Sequence, residues 1–347
     1  MSQTLADVPA QKAALKGAME KLSLLPLWEV YERVVTHEPS KDAPSHMWKW
    51  RDLAPAVALT VDTVKGRDAD HRVLVLKNPH YAGRVATANN ILGAVQCVVP
   101  GEKTSPHRHT PAAVRIILEG SGGGTYVDGV RCEMQAGDFI VTPNWTWHCH
   151  ENDSAGPVTW VDILDVPLVR AANAVFGEYG PPPGYPETVQ TLPDTLFAGG
   201  GLQPETDRPE APMPYTPRFR YAWNDVTALL EATPRGADGS RSVRYTNPLD
   251  GGPVIATMDA RMLELEGGRT TRALRSSESA LVVVIDGEGS SRIGDVVHEW
   301  QARDIFTLPE WNWMEHTASS GRARLLVVGD RNVRRALHLY REERRPA

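Results

Sequence analysis

Three histidines are spaced to hold a metal ion. His107 and His109 stand two residues apart in a stretch that reads as β-strand, so both rings leave one face. His148 follows about 40 residues later, just after Pro143-Asn144-Trp145. Two imidazoles from one strand and one from a neighbour make a facial three-nitrogen site for a divalent cation, with coordination positions left open. An HxH pair alone is weak, because structural histidine pairs are common. The longer frame is more specific. It runs Gly101, five residues, His107-Arg108-His109, and later Gly137, five residues, Pro143-Asn144-Trp145, two residues, His148, three residues, Asn152. Cys149 points away from its neighbours His148 and His150 on a strand and reads as packing.

Several polar residues share the ligands' parity. Arg115 lies six residues after His109, on the inward face if the strand is unbroken. A lone inward arginine is costly unless it meets an anion, either a substrate carboxylate held by the planar guanidinium or a protein carboxylate. His150 shares the face of His148. Asp162 alternates with Trp160 in the run 159–164 and is expected to orient His150, or to serve as a plain hydrogen-bond acceptor. Gln96 is placed to touch substrate or to be a core amide.

These residues need a β scaffold. Residues 10–36 read as helix broken at Pro26, and 1–53 as an N-terminal helical segment. From 54 to 176 the chain turns to short apolar runs between turn residues, including Val73–Leu76, Val95–Val99, Val114–Leu118, Phe139–Thr142 and Val158–Leu164. Residues 177–217 form a Pro- and Gly-rich linker, and 218–347 a second β-rich domain ending in a helix, Val333–Glu343. The two β regions are copies. Residues 137–147 match 303–313, 118–122 match 285–289, and Asn78-Pro79 matches Asn247-Pro248, at offsets of 166, 167 and 169. A repeat this long is a duplicated domain. His148 aligns with Met314, and 268–280 holds no histidine, so the second copy has lost its ligands. His316 aligns with His150 and is expected to be a hydrogen-bonded packing residue. The Trp-x-Trp motif occurs in both copies (Trp145/Trp147, Trp311/Trp313), which argues for structure over binding.

Composition excludes some partners. The 347 residues carry a net charge of -6, with 41% hydrophobic and 23% charged residues, 27 Pro and 29 Gly. Nucleic acid is not expected, since phosphate binding needs clustered positive charge. The exception is an arginine run near the C-terminus (Arg331, Arg334, Arg335, Arg341, Arg344 and Arg345), which reads as a solvated or subunit-contacting helix. No apolar run suits a signal peptide or a membrane span, and three cysteines without a CxxC fit a reducing, cytoplasmic setting.

At the histidine frame the sequence resembles the cupin superfamily. The usual cupin glutamate ligand after HxH is absent, its places taken by Ala112, Ala113 and Val114. A three-histidine bicupin with Pro-x-Trp-x-Trp-His resembles the gentisate/salicylate 1,2-dioxygenase family, as do Pro26-Leu27-Trp28-Glu29, 107–112 and Gly137-Asp138-Phe139. The resemblance implies a mainly β bicupin of two antiparallel barrels with terminal helices. It implies one Fe(II) per chain in the N-terminal barrel, O2 as co-substrate, and cleavage of a salicylate-like ring between its carboxyl- and hydroxyl-bearing carbons. Zn(II) fits the ligands too but has no redox chemistry, so iron is implied by the resemblance, not by the ligands. The resemblance also implies a substrate-binding Arg72, a second polar contact from His150 and a tetramer. Leu92 stands where the family often has a larger aromatic residue, which suggests room for a bulky 5-substituent such as nitro. Gentisate, a 5-substituted salicylate and 1-hydroxy-2-naphthoate are the expected substrates. A metal-dependent cupin isomerase or decarboxylase, or a non-catalytic small-molecule-binding cupin, would use the same fold.

Overall fold

A computed structural model describes residues 8–41, 43–65, 72–180, 215–319 and 321–346. The chain divides after Ser40. Within the first unit, α1 (Val8–Lys21) and α2 (Leu27–Val34) flank Pro26, which cannot donate to a helical carbonyl and starts the second helix. α2 buries only Val30, while Leu24, Leu25, Leu27, Trp28 and Tyr31 are exposed.

The second unit holds two jelly rolls. Each is a six-stranded and a five-stranded antiparallel sheet facing one another. The expected barrels are thus layered: side chains, not a continuous hydrogen-bonded cylinder, close them. In the N-terminal jelly roll the larger sheet runs Arg220–Tyr221, Phe139–Thr142, Ala113–Glu119, Val158–Leu164, Leu92–Val98, Val73–Val75. The smaller runs Gly177–Tyr179, His107–His109, His148–Asn152, Ser121–Val127, Val130–Gln135. The C-terminal copy repeats this plan. The matched turns repeat too: Asn78 Oδ1 accepts from the His80 amide at 3.1 Å, and Asn247 Oδ1 from the Leu249 amide at 3.0 Å.

Alternating residues of each larger sheet serve different cores. Ile117, Ile140 and Trp160 fill the first jelly roll, and Val282, Phe306 and Leu325 the second. The other faces, with Val95, Ile116, Phe139 and Val161 meeting Met262, Leu281, Val283 and Leu326, join in one large core between the domains. Both faces of these strands are therefore dry. That explains the unbroken apolar runs: all seven residues of Leu92–Val98 are buried.

The domains exchange edges, which departs from the expected boundaries. Met47–Trp48 pairs with Ile305–Leu308 of the second jelly roll, and Arg220–Tyr221 with Phe139–Thr142 of the first. The helices that follow, α3 (Trp50–Thr63) and α5 (Trp223–Ala232), are anchored the same way. Trp50 N–H donates to Asp304 Oδ1 at 2.7 Å, and Trp223 N–H to Asp138 Oδ1 at 2.9 Å. α3 thus straddles the expected 53/54 boundary. Most of the expected linker, 181–214, lies outside the described residues. Its first residues, Gly177–Tyr179, are not linker but a strand on the histidine strand. The terminal helix is also shorter than expected. α6 spans Arg331–Ala336, after the six-residue α4 (Val166–Ala171), and Glu342–Arg344 is a strand on Leu274–Ser276. The arginine run is largely paired inside the domain, with Arg331 on Asp259, Arg334 on Asp330 and Glu310, and Arg344 on Glu342.

Candidate metal centre

Backbone pairing brings the three histidines together. His107 sits opposite His148 across the smaller sheet. The Pro143-Asn144-Trp145 turn stitches the two strands. Trp145 takes a left-handed φ of 63°, costly for a bulky residue. It is held there because its N–H donates to His109 O at 2.9 Å and Asn144 Nδ2 donates to Thr110 O at 2.6 Å. On the outer face Arg108 lies 4.4 and 4.9 Å from the Trp145 and Trp147 ring centres and bonds Glu178 at 2.7 Å. Arg275, Trp311, Trp313 and Glu343 repeat that clamp in the other domain. The Trp-x-Trp motif is therefore a clamp behind the site. Gly177 lets the clamping strand approach, since a Cβ there would lie 2.9 Å from Arg108 O.

The ligand nitrogens of His107, His109 and His148 lie within 4.8 Å of one another. Each ring is oriented through Nδ1 by a main-chain carbonyl: His107 by Ser105 at 2.9 Å, His109 by Pro111 at 2.7 Å, His148 by Thr146 at 3.0 Å. That fixes Nδ1–H and turns each Nε2 lone pair inward. His148 Nε2 is fully buried with no partner in the protein. An orphaned buried acceptor needs an explanation, and a cation shared with His107 and His109 fits it. Burial pulls His109 down to about 4 and His148 well below the usual imidazole range. Both of these rings are therefore held in the neutral form that metal ligation requires.

The cavity beside them measures about 220 Å³. Val73, Val75, Leu92, Ala94 and Leu164 make its apolar wall, and Gln96, Arg115, His150, Asp162 and Tyr179 also line it. Arg115 Nε lies 2.7 Å from Asp162 Oδ1, with both side chains buried, and its Nη1 bonds Thr142 Oγ1. Burial pushes the Asp162 carboxyl up, and Arg115 opposes that push. Asp162 therefore does not orient His150. Its other oxygen accepts from Trp160 Nε1 at 2.8 Å. His150 Nδ1 instead meets Thr125 Oγ1 at 3.0 Å, and its ring packs on Trp160. Burial holds His150 far below its usual range.

Arg72 departs most from expectation. It does not line the cavity. Its guanidinium grips both oxygens of Glu102 and donates to Cys97 O at 3.0 Å. It is a buried structural ion pair, neither a substrate contact nor a surface residue. Val73, Val75, Ala94, Leu164 and Tyr179 were not singled out from sequence. The first four look like any apolar strand residues, and Tyr179 sits in a segment without periodicity.

A model of the cupin domain matches residues 94–164. The chain is 34% identical over 346 residues to gentisate 1,2-dioxygenase 1 of Aquipseudomonas alcaligenes, covering 97% of each chain. It is 33% identical to 5-aminosalicylate 1,2-dioxygenase of a Comamonas species, over 95% of this chain and 89% of that one. The salicylate 1,2-dioxygenase structure from Pseudoaminobacter salicylatoxidans with gentisate superposes with a TM-score of 0.87 at 26% identity, covering 100% of this chain and 96% of that one. Full-length similarity of this kind, on a two-domain cupin with one three-histidine centre among the described residues, places the chain in the gentisate/salicylate 1,2-dioxygenase family.

Proposed function

We propose that this chain holds one Fe(II) on His107, His109 and His148 and opens an aromatic 2-hydroxycarboxylate with O2, between the carboxyl- and hydroxyl-bearing carbons. The observation that carries this reading is the convergence of three imidazoles, without a carboxylate ligand, in a cavity that also holds a buried arginine. Fe(II), when bound, supplies the redox chemistry between ring and O2 that Zn(II) on the same ligands lacks. A dication on neutral ligands favours an anionic substrate.

The chain's own groups position that substrate. Arg115 spends Nε on Asp162 and Nη1 on Thr142. Nη2 and the second Nη1–H are the donors left for the substrate carboxylate, so the grip is narrower than a free guanidinium allows. Thr125 Oγ1 holds His150 through Nδ1, which leaves Nε2 turned toward the cavity; with the Thr125 hydroxyl donating, Nε2–H is the donor there. Gln96 offers its amide from the facing strand. The apolar wall holds the ring and excludes water.

Leu92 sets the room for the substituent. The test is a panel of gentisate, 5-aminosalicylate, 5-nitrosalicylate and 1-hydroxy-2-naphthoate with Fe(II)-loaded protein, read by appearance of the ring-opened product. Leu92→Trp is expected to lower kcat/KM for the naphthoate relative to gentisate by about tenfold or more, the usual worth of a filled apolar pocket. An equal loss on every substrate contradicts the specificity role, and no product from any contradicts the activity.

We further propose a cytoplasmic homotetramer. The exposed apolar side chains Leu24, Leu25, Leu27, Trp28 and Tyr31 support association, and three buried cysteines outside any disulfide fit a reducing compartment. No helix among the described residues is long and apolar enough to cross a membrane. Sedimentation equilibrium should give four chain masses for the wild type and less for Trp28→Glu. A monomeric wild type, or recovery from a secreted fraction, contradicts this.

A further inference from the structure

The C-terminal jelly roll keeps a cavity where the first has its metal centre. It measures about 280 Å³, more than the 220 Å³ of the N-terminal one. Strand register lets the two be compared by position. Leu274 and Met314 pair as His107 and His148 do. Val282 and Val327 pair as Arg115 and Asp162 do. Apolar side chains have thus replaced two of the ligands and the ion pair, and Ser276 stands at the place of His109.

Two polar features remain or are added. His316 stands in the place of His150, with Ser291 at its Nδ1 (2.7 Å) and Thr271 on its backbone N–H (2.9 Å), as Thr125 and Thr104 serve His150. Ser291 settles the tautomer. It is fully buried, and its Oγ already accepts from Trp300 Nε1 at 2.8 Å. The hydroxyl proton then goes to His316 Nδ1, so Nε2 carries the ring's proton and is left to donate into the cavity. The second feature is Arg261. It sits opposite Val327, where Ala94 sits opposite Asp162. Among the described residues, five arginines line the cavity against three carboxylates. Arg261 is held in a two-point pair by Glu278 at 2.8 and 3.0 Å. Arg331, at the start of α6, pairs with Asp259, and its Nε is buried without a partner.

We propose that this cavity binds a small organic monocarboxylate without a metal. The carboxylate lies toward His316 Nε2 and the side formed by Arg261 and Arg331, and the apolar body lies on Leu274, Met314 and Val327. Arginine N–H groups not fully spent on their carboxylates and the unspent His316 donor, beside an apolar wall, are what such an anion requires. The site rests on C-terminal residues alone and stands or falls apart from ring cleavage.

Met314 provides a local probe, since no methionine lines the N-terminal cavity among the described residues. Full-length protein labelled with 13C at the methionine methyls, loaded with Zn(II) to stay diamagnetic, is titrated with benzoate. The Met314 resonance is identified by its loss in Met314→Leu. It should shift saturably with benzoate and not with benzamide. Arg331→Ala and His316→Phe should each weaken half-saturation by about tenfold, the worth of one hydrogen bond to a charged group. The other methionine resonances report whether each variant is folded, and Arg331→Ala decides if His316→Phe is not. An unmoved Met314 resonance, a benzamide response equal to that of benzoate, or unchanged half-saturation in the folded variants would overturn the proposal.

Discussion

His148→Ala is expected to lose metal and ring cleavage together. His148 is the fully buried member of the triad, and its Nε2 has no other partner. Removing only an outer partner of a metal ligand usually costs about 10–100-fold in affinity or activity. Removing the ligand itself should exceed that, leaving bound metal near zero and activity below about 0.1%. The second domain supplies the control. His316→Ala disturbs a buried histidine of the same surroundings but no metal ligand, so metal content should stay at one per chain. Metal analysis after gel filtration, beside product formation, checks both. A His148→Ala protein that keeps stoichiometric metal contradicts the assignment.

Arg115→Val has the second large effect, and it falls on folding as well as on catalysis. Without Arg115, the Asp162 carboxylate is buried with only the Trp160 indole for company. Breaking one side of a buried ion pair typically costs about 3–5 kcal/mol. The second domain again shows an alternative. At the same paired positions it carries Val282 and Val327, both buried. Arg115→Val/Asp162→Val should therefore recover most of the stability lost by the single variant, yet remain inactive because no cation faces the substrate carboxylate. The sign of the pH effect follows from burial. An unpaired Asp162 has its folded-state pKa raised further above the unfolded value, so it prefers the protonated form when folded. The deficit of Arg115→Val should then be full above the raised pKa and shrink as pH falls to the unfolded carboxylate range. Denaturant titrations at neutral and acidic pH read this. A double variant no more stable than the single one would contradict the account.

The sequence made the ligands legible because two of them share one strand and the third follows a fixed turn. It also put Arg115 and Asp162 on the inward face, though for Arg115 the reason was incomplete. The strand is not continuous from His109. It breaks at Thr110–Ala112 and resumes at Ala113, and the even count survives the break. Parity tells the face of a residue but not its neighbour. Asp162 was expected to orient His150 or to be a plain acceptor; it accepts from Trp160 and sits opposite Arg115, in a register that shifts between Thr159 and Trp160. Arg72 failed for a related reason, because Glu102, 30 residues away, takes its guanidinium. The pieces most hidden in the sequence are short edge strands. Gly177–Tyr179 and Glu342–Arg344 have three residues each, too few for a period, and exist because a distant strand offers its edge. The duplication was legible from matched motifs, but the exchange of Met47–Trp48 and Arg220–Tyr221 between domains was not, since two residues carry no pattern.

The most direct test of a single iron centre that cleaves a ring acid with O2 is oxygen uptake by protein loaded anaerobically with Fe(II). With gentisate or the best substrate of the panel, one O2 should be consumed per ring opened. Protein loaded with Zn(II) should consume none, and His148→Ala should match buffer. Absence of uptake with every ring acid, or product formed under strict anaerobiosis, would contradict the account.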